Sequence, residues 1–344
     1  MPNFKKVLLS VLCVIFVISV LSSILFIPYL NSEMGYYQDS KSRDSLAGKL
    51  DYLVVGASNG LCAFDPRVLD EKLGVSSYNL SGTLMTLGAK EFFLQKEISR
   101  NPVKTVVMDI SFETLTRNER EEYAGGDAVS LAKCGSMQER LQFVLQYVHF
   151  SDWLNLYGNL ATPGIEYLLT VIKGSSVNGV EKAAKGFYGR EVNDITLSED
   201  EAKQNYNITH LNTEFRSENI EKLVSQIQAC QQQGIQVILA VVPKSDRDLW
   251  KFDQHDVFYQ WMMEFSKEND CDFYDFNLLK MRYEILNDEH SFFDATHMSE
   301  EGATMFSKAC CDIIKRAETE DVSEYFYDSY EEMKADSPYM EYLK

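Results

Sequence analysis

The chain has 344 residues, of which 45% are hydrophobic and 25% are charged, a composition typical of a globular protein with a substantial core. Its formal net charge of -19 argues against a nucleic-acid backbone as a partner, because phosphate binding requires clustered lysine and arginine. Seven scattered cysteines without a C-x-x-C pair and five histidines without paired ligand spacing predict no disulfide framework, no metal site and no cofactor.

The first element is an apolar segment, residues 7–30, which carries no charged side chain. It exceeds the roughly 20 residues that a helix needs to cross a bilayer. Lys5 and Lys6 precede it, and the next basic residue is Lys41. We therefore expect residues 1–30 to form a cytoplasmic stub and one transmembrane anchor of the cell membrane, with the rest of the chain extracytoplasmic. A cleaved signal peptide is the alternative. However, this segment is longer than the apolar region of a usual signal peptide, and it lacks an A-x-A cleavage site.

After a polar stretch, residues 31–48, which we expect to be a linker, short apolar strands alternate with amphipathic helices. The pattern predicts strands at 52–55, 75–80, 103–110, 235–243 and 271–277, and helices at 66–73, 87–99, 218–233 (with Ser217 as N-cap), 258–267 and 298–315. This alternation is typical of an α/β fold, here a three-layer α/β/α sandwich around a five-stranded parallel sheet.

Two segments interrupt or follow this pattern. Residues of about 113–216 predict a helical insertion within a domain that spans 49–316. Residues 317–344 form an acidic, tyrosine-rich tail, which we expect to be solvated or draped over the domain, with docking to a basic partner as the alternative.

Polar residues at the carboxyl ends of the strands are the candidates for chemistry, since ligands of parallel sheets bind there. Ser58 follows the first strand in Gly56-Ala57-Ser58-Asn59-Gly60, a G-x-S-x-G pattern. Asp294 and His297 precede the last helix. A serine hydroxyl becomes a good nucleophile when an imidazole removes its proton and a carboxylate fixes the imidazole. We therefore predict an acyl-transfer site with Ser58, His297 and Asp294 as catalytic residues.

An acyl-transfer site also needs donors for the oxyanion. The backbone N–H groups of Ser58 and Gly82 are the first candidates, and the amide of Asn79 or Asn59 is a further one. Asp109 ends the third strand and is expected to accept backbone hydrogen bonds there; orienting a polar group in the cleft is the alternative.

The order of these elements resembles the SGNH/GDSL hydrolase superfamily, which has a flavodoxin-like sheet. "VVGASNG" is similar to its first block, "YNLSGT" with Gly82 to its second, and "DATHMSEEG" with Asp294 and His297 to its last. An α/β-hydrolase elbow would need several strands before the serine, so the G-x-S-x-G match is interpreted as coincidental and Gly60 as incidental. The third block departs, because Met108-Asp109-Ile110-Ser111-Phe112 stands in place of G-x-N-D. Ser111 or the backbone alone would then replace the asparagine donor.

This departure, the anchor and the insertion are similar to the membrane-anchored branch of that superfamily. The resemblance implies an extracytoplasmic acyltransferase or esterase that acts on an acylated cell-surface polymer, such as a teichoic acid or an exopolysaccharide. It also implies a multi-pass membrane O-acyltransferase as a partner. The alternative is a non-catalytic protein that keeps the fold and scaffolds such an acyltransferase.

Overall fold

The computed structural model describes, apart from a few isolated positions, residues 36–119, 126–153, 184–191, 214–287 and 290–341. A central sheet contains five parallel strands, and two further short strands pair with each other. The strands are β1 (Tyr52–Val55), β2 (Ser77–Asn79), β3 (Thr105–Asp109), β4 (Thr209–His210), β5 (Gln236–Val241), β6 (Phe252–Asp253) and β7 (Asp272–Asp275). The central order is β2-β1-β3-β5-β7, so the chain reverses its winding direction between β1 and β3.

Helices cover both faces of this sheet. The described α-helices are α1 (Tyr36–Ser45), α2 (Ser58–Ala63), α3 (Pro66–Leu73), α4 (Leu87–Arg100), α5 (Phe112–Thr116), α6 (Gly126–Lys133), α7 (Met137–Tyr147), α8 (Ser217–Gln231), α9 (Asp246–Leu249), α10 (His255–Glu268), α11 (Arg282–Ile285), α12 (Glu300–Ala317) and α13 (Tyr330–Asp336). Because side chains alternate along a strand, β1, β3 and β5 each contribute to two separate cores. Leu53 and Val55 pack with residues of α4, α8 and α10, whereas Tyr52 and Val54 pack with residues of α3 and α12.

The predicted five-stranded parallel sheet and the three-layer arrangement are therefore confirmed. The first strand, 52–55, has the predicted bounds, whereas the other four strands are shorter than predicted, and the pairing of β4 with β6 lies outside the prediction. The interpretation of Ser217 as an N-cap is wrong: α8 begins at Ser217 itself, and the residue before it, Arg216, makes no side-chain cap.

The predicted linker at residues 31–48 is wrong from residue 36 onward, because α1 is part of the domain. Arg43 is 1% exposed, and its guanidinium lies 3.2 Å from both Glu97 and Glu139. The segment looks like a solvated linker because its anchoring side chains are charged, and only their partners on α4 and α7 allow them to be buried.

No helix among the described residues is both long and apolar enough to span a bilayer. The predicted anchor, residues 7–30, lies outside the described residues except for positions 7, 9, 10 and 13. About half of the predicted insertion also lies outside them, although α6 and α7 belong to it. Those two helices pack on the start of α4 through a cluster that includes Phe92, Leu131 and Phe143.

The described part of the acidic tail is draped over the domain. Tyr330 and Met333 of α13 are buried beside Leu249 and Trp250. The Tyr330 hydroxyl donates to Asp275 Oδ2 at 2.6 Å, so the tail is attached directly beyond the end of β7.

His255 is buried beneath this tail. Its burial predicts that the stability of the folded chain depends on pH. Its ring stacks on Tyr330 with centroids 4.6 Å apart, and its Nε2–H donates to the Leu249 carbonyl at 2.9 Å. Burial lowers the pKa of His255 from 6.5 to about 4. Between these values the unfolded chain binds a proton that the folded chain does not, so stability falls as the pH drops from 6.5 towards 4.

We expect His255→Phe to remove about 1.4 kcal/mol per pH unit from the slope of the unfolding free energy between pH 6.5 and 4. Urea titrations of both proteins at several pH values measure this difference. The pKa of Asp275 is raised by burial to about 6 and opposes the effect of His255, so the difference between the two slopes is the relevant quantity. His290→Gln is the control variant, because His290 is exposed. Equal slopes for the wild type and His255→Phe would contradict the assignment.

Candidate active site

Ser58 lies at the turn from β1 into α2. The chain leaves β1 at Val55, Ala57 precedes the helix in an extended conformation, and Ser58 is the first helical residue. Its hydroxyl oxygen is 2.8 Å from His297 Nε2. The two residues are 239 positions apart, so only the sheet topology brings them together.

Asp294 and His297 lie on a short hairpin that leads into α12. Phe292 pairs with Met298 across this hairpin, and Ser299 caps α12 by accepting a hydrogen bond from the N–H of Gly302. His297 Nδ1 lies 2.9 and 2.8 Å from the two carboxylate oxygens of Asp294. The structure thus brings together the three residues predicted as catalytic, in the order serine, imidazole and carboxylate.

The Asp294 carboxylate is also held by the backbone. Its Oδ1 accepts from the N–H groups of Thr296 and His297, each at 2.9 Å. Burial would raise the pKa of Asp294, but the hydrogen bonds from His297 and Thr296 outweigh it and hold that pKa well below its ordinary value. The carboxylate is therefore ionised at neutral pH and fixes the imidazole with its Nε2 facing Ser58.

Asp109 holds the turn that carries Ser58 by accepting hydrogen bonds from its backbone. This buried residue ends β3, and its Oδ2 accepts from the N–H groups of Ala57 at 3.3 Å and Gly60 at 3.0 Å. The expectation that it accepts backbone hydrogen bonds is confirmed. Burial raises the pKa of Asp109, whereas the nearby cation of Lys90 and these two N–H groups lower it.

The interpretation of Gly60 as incidental is wrong. A Cβ atom at Gly60 would lie 2.9 Å from Asp109 Cβ, and one at Gly56 would lie 2.6 Å from it. Contacts this short do not occur between real side chains, so both glycines are needed for Asp109 to reach the turn. The G-x-S-x-G pattern therefore has a structural cause here that is unrelated to a hydrolase elbow.

Asn79 is wrongly predicted as an oxyanion donor. It is fully buried at the end of β2, and its Nδ2 donates to the carbonyls of Gly60 at 2.8 Å and Phe64 at 3.0 Å. Its Oδ1 accepts from the N–H of Ser81 at 3.0 Å. Both amide hydrogens are used, so Asn79 fixes α2 and the Ser81 turn rather than facing a substrate.

Backbone N–H groups remain as donors. Among the described residues, none accepts a hydrogen bond from the N–H of Ser58 or of Asn59 at the start of α2. The N–H of Gly82 makes only a long contact, 3.4 Å, with the carbonyl of Gly56, and a charged oxygen would compete with it effectively. Ser111, by contrast, is directed to its own helix, since its N–H and hydroxyl both contact Thr114 Oγ1.

Lys133 is a residue of this site that the sequence did not indicate. Its side chain is buried, and Nζ donates to the carbonyl oxygen of Ser81 at 2.8 Å. That carbonyl belongs to the peptide bond whose N–H is contributed by Gly82. A Cβ at Gly82 would lie 3.1 Å from Lys133 Cδ, so the lysine packs directly against this peptide. Burial lowers the pKa of Lys133 to about 8.

Two other His contacts in the described part of the chain have different surroundings. His149 Nδ1 is 2.8 Å from the Ser151 hydroxyl, which also donates to Asp152, but these side chains are exposed. His210 Nδ1 is 2.7 Å from Asp253 Oδ2 in an exposed pair. The described residues contain no group of three His, Cys, Asp or Glu side chains arranged to hold a metal ion.

The fold and the site together define a parallel α/β protein with a Ser-His-Asp arrangement at the carboxyl edge of its sheet. No protein-family model matches the chain, and no curated protein matches it significantly. Among solved structures, it is similar to a GDSL-like lipase from Bacteroides thetaiotaomicron, with 10% identity, a TM-score of 0.38, and coverage of 84% of this chain and 99% of that one.

Two further solved structures have similar values. One is a Bacteroides fragilis protein described as an acylhydrolase, with 10% identity, a TM-score of 0.39, and coverage of 81% and 96%. The other is a Desulfitobacterium hafniense protein described as a lipolytic protein of the G-D-S-L family, with 10% identity, a TM-score of 0.35, and coverage of 76% and 98%. All three TM-scores lie below 0.5.

Proposed function

We propose that the chain is a serine acyl-transfer enzyme that cleaves acyl esters through Ser58, His297 and Asp294. The contact of Ser58 with His297 Nε2 at 2.8 Å, while Nδ1 of the same ring is held by Asp294, carries this proposal. His297 accepts the proton of Ser58 as the hydroxyl attacks the acyl carbonyl, and then returns it to the departing alcohol. A second hydroxyl, from water or an acceptor, releases the acyl group by the reverse steps.

The oxyanion of each tetrahedral intermediate would be bound by backbone donors. The N–H groups of Ser58 and Gly82 are the proposed pair, with Asn59 as a further donor. Asn59 supports this role because it lies at the start of α2 and neither its N–H nor its side chain forms a hydrogen bond with another described group.

We further propose an acylated cell-envelope polymer as the substrate and an extracytoplasmic, membrane-anchored location. The uncharged segment 7–30 supports the location, and the resemblance to polymer-modifying SGNH proteins supports the substrate. Hydrolysis and transfer use the same three residues, so the acceptor decides between them. A multi-pass membrane O-acyltransferase is the proposed partner for transfer.

A fluorophosphonate probe tests the proposed reaction on the purified full-length chain. It should form one adduct per chain at Ser58, located by peptide mass spectrometry, and should abolish hydrolysis of 4-nitrophenyl acetate in proportion to labelling. Labelling of another serine, or hydrolysis that survives full labelling of Ser58, would refute the proposal. A scaffold without catalysis would show neither labelling nor hydrolysis.

Lys133→Met is expected to lower kcat about tenfold to hundredfold, with a much smaller change in KM, because the Ser81–Gly82 peptide loses the cation that orients and polarises it. Steady-state kinetics on 4-nitrophenyl acetate measure both constants, and urea unfolding reports the accompanying loss of stability. Lys133→Gln keeps an N–H donor without the charge and should give an intermediate kcat. An unchanged kcat, or a rise in KM alone, would contradict this role.

A further inference from the structure

Arg190 carries a guanidinium group that no described carboxylate neutralises. Its Cζ lies 4.7 Å from the centroid of the Phe293 ring, the residue directly before Asp294. Its Nε is buried without a hydrogen-bond partner, and no aspartate or glutamate in the described ranges forms an ion pair with it. The nearby Arg67, by comparison, is paired with both Asp65 and Glu300 at 2.7 Å.

The backbone around Arg190 is attached to both elements that form the site. The Tyr188 N–H donates to the carbonyl of Leu61 in α2 at 3.3 Å, and the Glu300 N–H at the start of α12 donates to the carbonyl of Arg190 at 2.8 Å. Gly189 lies so close to Glu300 that a Cβ there would approach its Cδ to 2.8 Å. Arg190 is therefore fixed between the helix that begins with Ser58 and the helix that follows His297.

The hairpin geometry connects the Arg190 contact with the histidine through Phe293. Phe293 and His297 are opposite each other, since the Phe293 N–H donates to the His297 carbonyl at 2.8 Å next to the Phe292–Met298 pair. Opposite residues of an antiparallel pair project their side chains on the same face, with Cβ atoms about 5 Å apart. The residue whose ring contacts Arg190 is thus paired across the hairpin with the histidine whose imidazole contacts Ser58.

We infer that Arg190 binds an anionic group, a carboxylate or a phosphate, on the ester that reaches Ser58. This inference rests on the proposed function and names its substrate class: an acyl ester with a negative charge a few bonds from the ester carbonyl. A guanidinium presents its outer N–H groups as a planar fork that matches both kinds of anion. A local cation is needed at such a site, because the net charge of -19 repels an anionic substrate unless a cation compensates it.

Matched ester pairs test this inference. For an anion on the alcohol side, 4-acetoxybenzoate is compared with the neutral 4-acetoxybenzamide; for one on the acyl side, mono-4-nitrophenyl glutarate is compared with 4-nitrophenyl pentanoate. In at least one pair, Arg190→Gln should lower kcat/KM for the anionic ester about tenfold to hundredfold and leave the neutral ester within about threefold. Arg190→Lys, which keeps the charge but not the fork, should lose less. The affected pair identifies the side that carries the anion.

The control is Arg316→Gln. Arg316 lies at the end of α12 and, like Arg190, its guanidinium lies over an aromatic ring, that of Tyr325, but it forms an ion pair with Glu320. This control variant should change neither member of either pair. A readout without turnover is the binding of 4-hydroxybenzoate and of glutarate by calorimetry, where Arg190→Gln should weaken one of them about tenfold or more. Equal effects on both members of both pairs, or unchanged binding of both anions, would overturn the inference. If the wild type hydrolyses none of the esters, the proposed function fails, and the binding result still decides the role of Arg190.

Discussion

Ser58→Ala is expected to reduce kcat/KM for 4-nitrophenyl acetate by about 10⁴-fold or more, because it removes the hydroxyl that attacks the acyl carbon in the proposed reaction. The folded state should be retained, since the hydroxyl of this half-buried residue contacts His297 alone among the described residues. Steady-state kinetics with background subtraction measure the loss, and circular dichroism with urea unfolding measures the fold.

Ser58 and His297 act as one catalytic unit, which gives a second expected result for a double variant. Residues that act as one unit are non-additive, so the Ser58→Ala/His297→Ala double variant should be no slower than either single variant. Ser151→Ala is the matched control, because Ser151 also lies 2.8 Å from a histidine nitrogen but in an exposed position. Substantial activity in Ser58→Ala, or an equal loss of activity in Ser151→Ala, would show that Ser58 is not the nucleophile.

Asp294→Asn has the second largest expected effect, a loss of about 10³- to 10⁴-fold in kcat. Both carboxylate oxygens now face His297 Nδ1–H, at 2.9 and 2.8 Å. An asparagine can present its NH₂ to Nδ1, which then becomes the acceptor and leaves the proton on Nε2, where it blocks abstraction from Ser58. The pH–rate profile reports this change, because activity that remains should rise at high pH as other bases replace the imidazole.

Asp253→Asn is the control for this change. It breaks an Asp–His Nδ1 contact of 2.7 Å with His210, a pair with the same chemistry that lies away from Ser58. Its kcat should equal that of the wild type. A loss of less than about tenfold in Asp294→Asn would show that the aspartate only supports the hairpin.

The strands and the three contacting residues were predictable because each depends on a local signal. Runs such as Leu53-Val54-Val55 identify strands buried on both faces, and parallel topology then places their carboxyl ends together. Ser58 and the pair Asp294 and His297 stand directly at such ends. No knowledge of side-chain packing was needed to expect their meeting.

Other parts of the site depend on partners that are distant in sequence. The position of α2 decides whether the Asn79 amide faces the cleft or the carbonyls of Gly60 and Phe64. That position cannot be inferred from the residues around Asn79 alone. Lys133 was hidden for the same reason, since a lysine near the end of a helix ordinarily lies in solvent. The charged helix α1 resembles a linker at the level of sequence, because buried ion pairs and solvated charges look identical there.

The close approach of Asp109 to Gly56 and Gly60 constrains how this chain can vary over evolutionary time. A methyl group at either glycine would clash with the Cβ of residue 109, which only glycine lacks, and a glycine at 109 would leave two N–H groups of the serine turn without their acceptor. The three positions are therefore expected to change together or not at all. In an alignment of relatives they should appear as a covarying set, distinct from the Ser58, His297 and Asp294 set, and their joint loss would mark lineages in which the turn is supported by another residue.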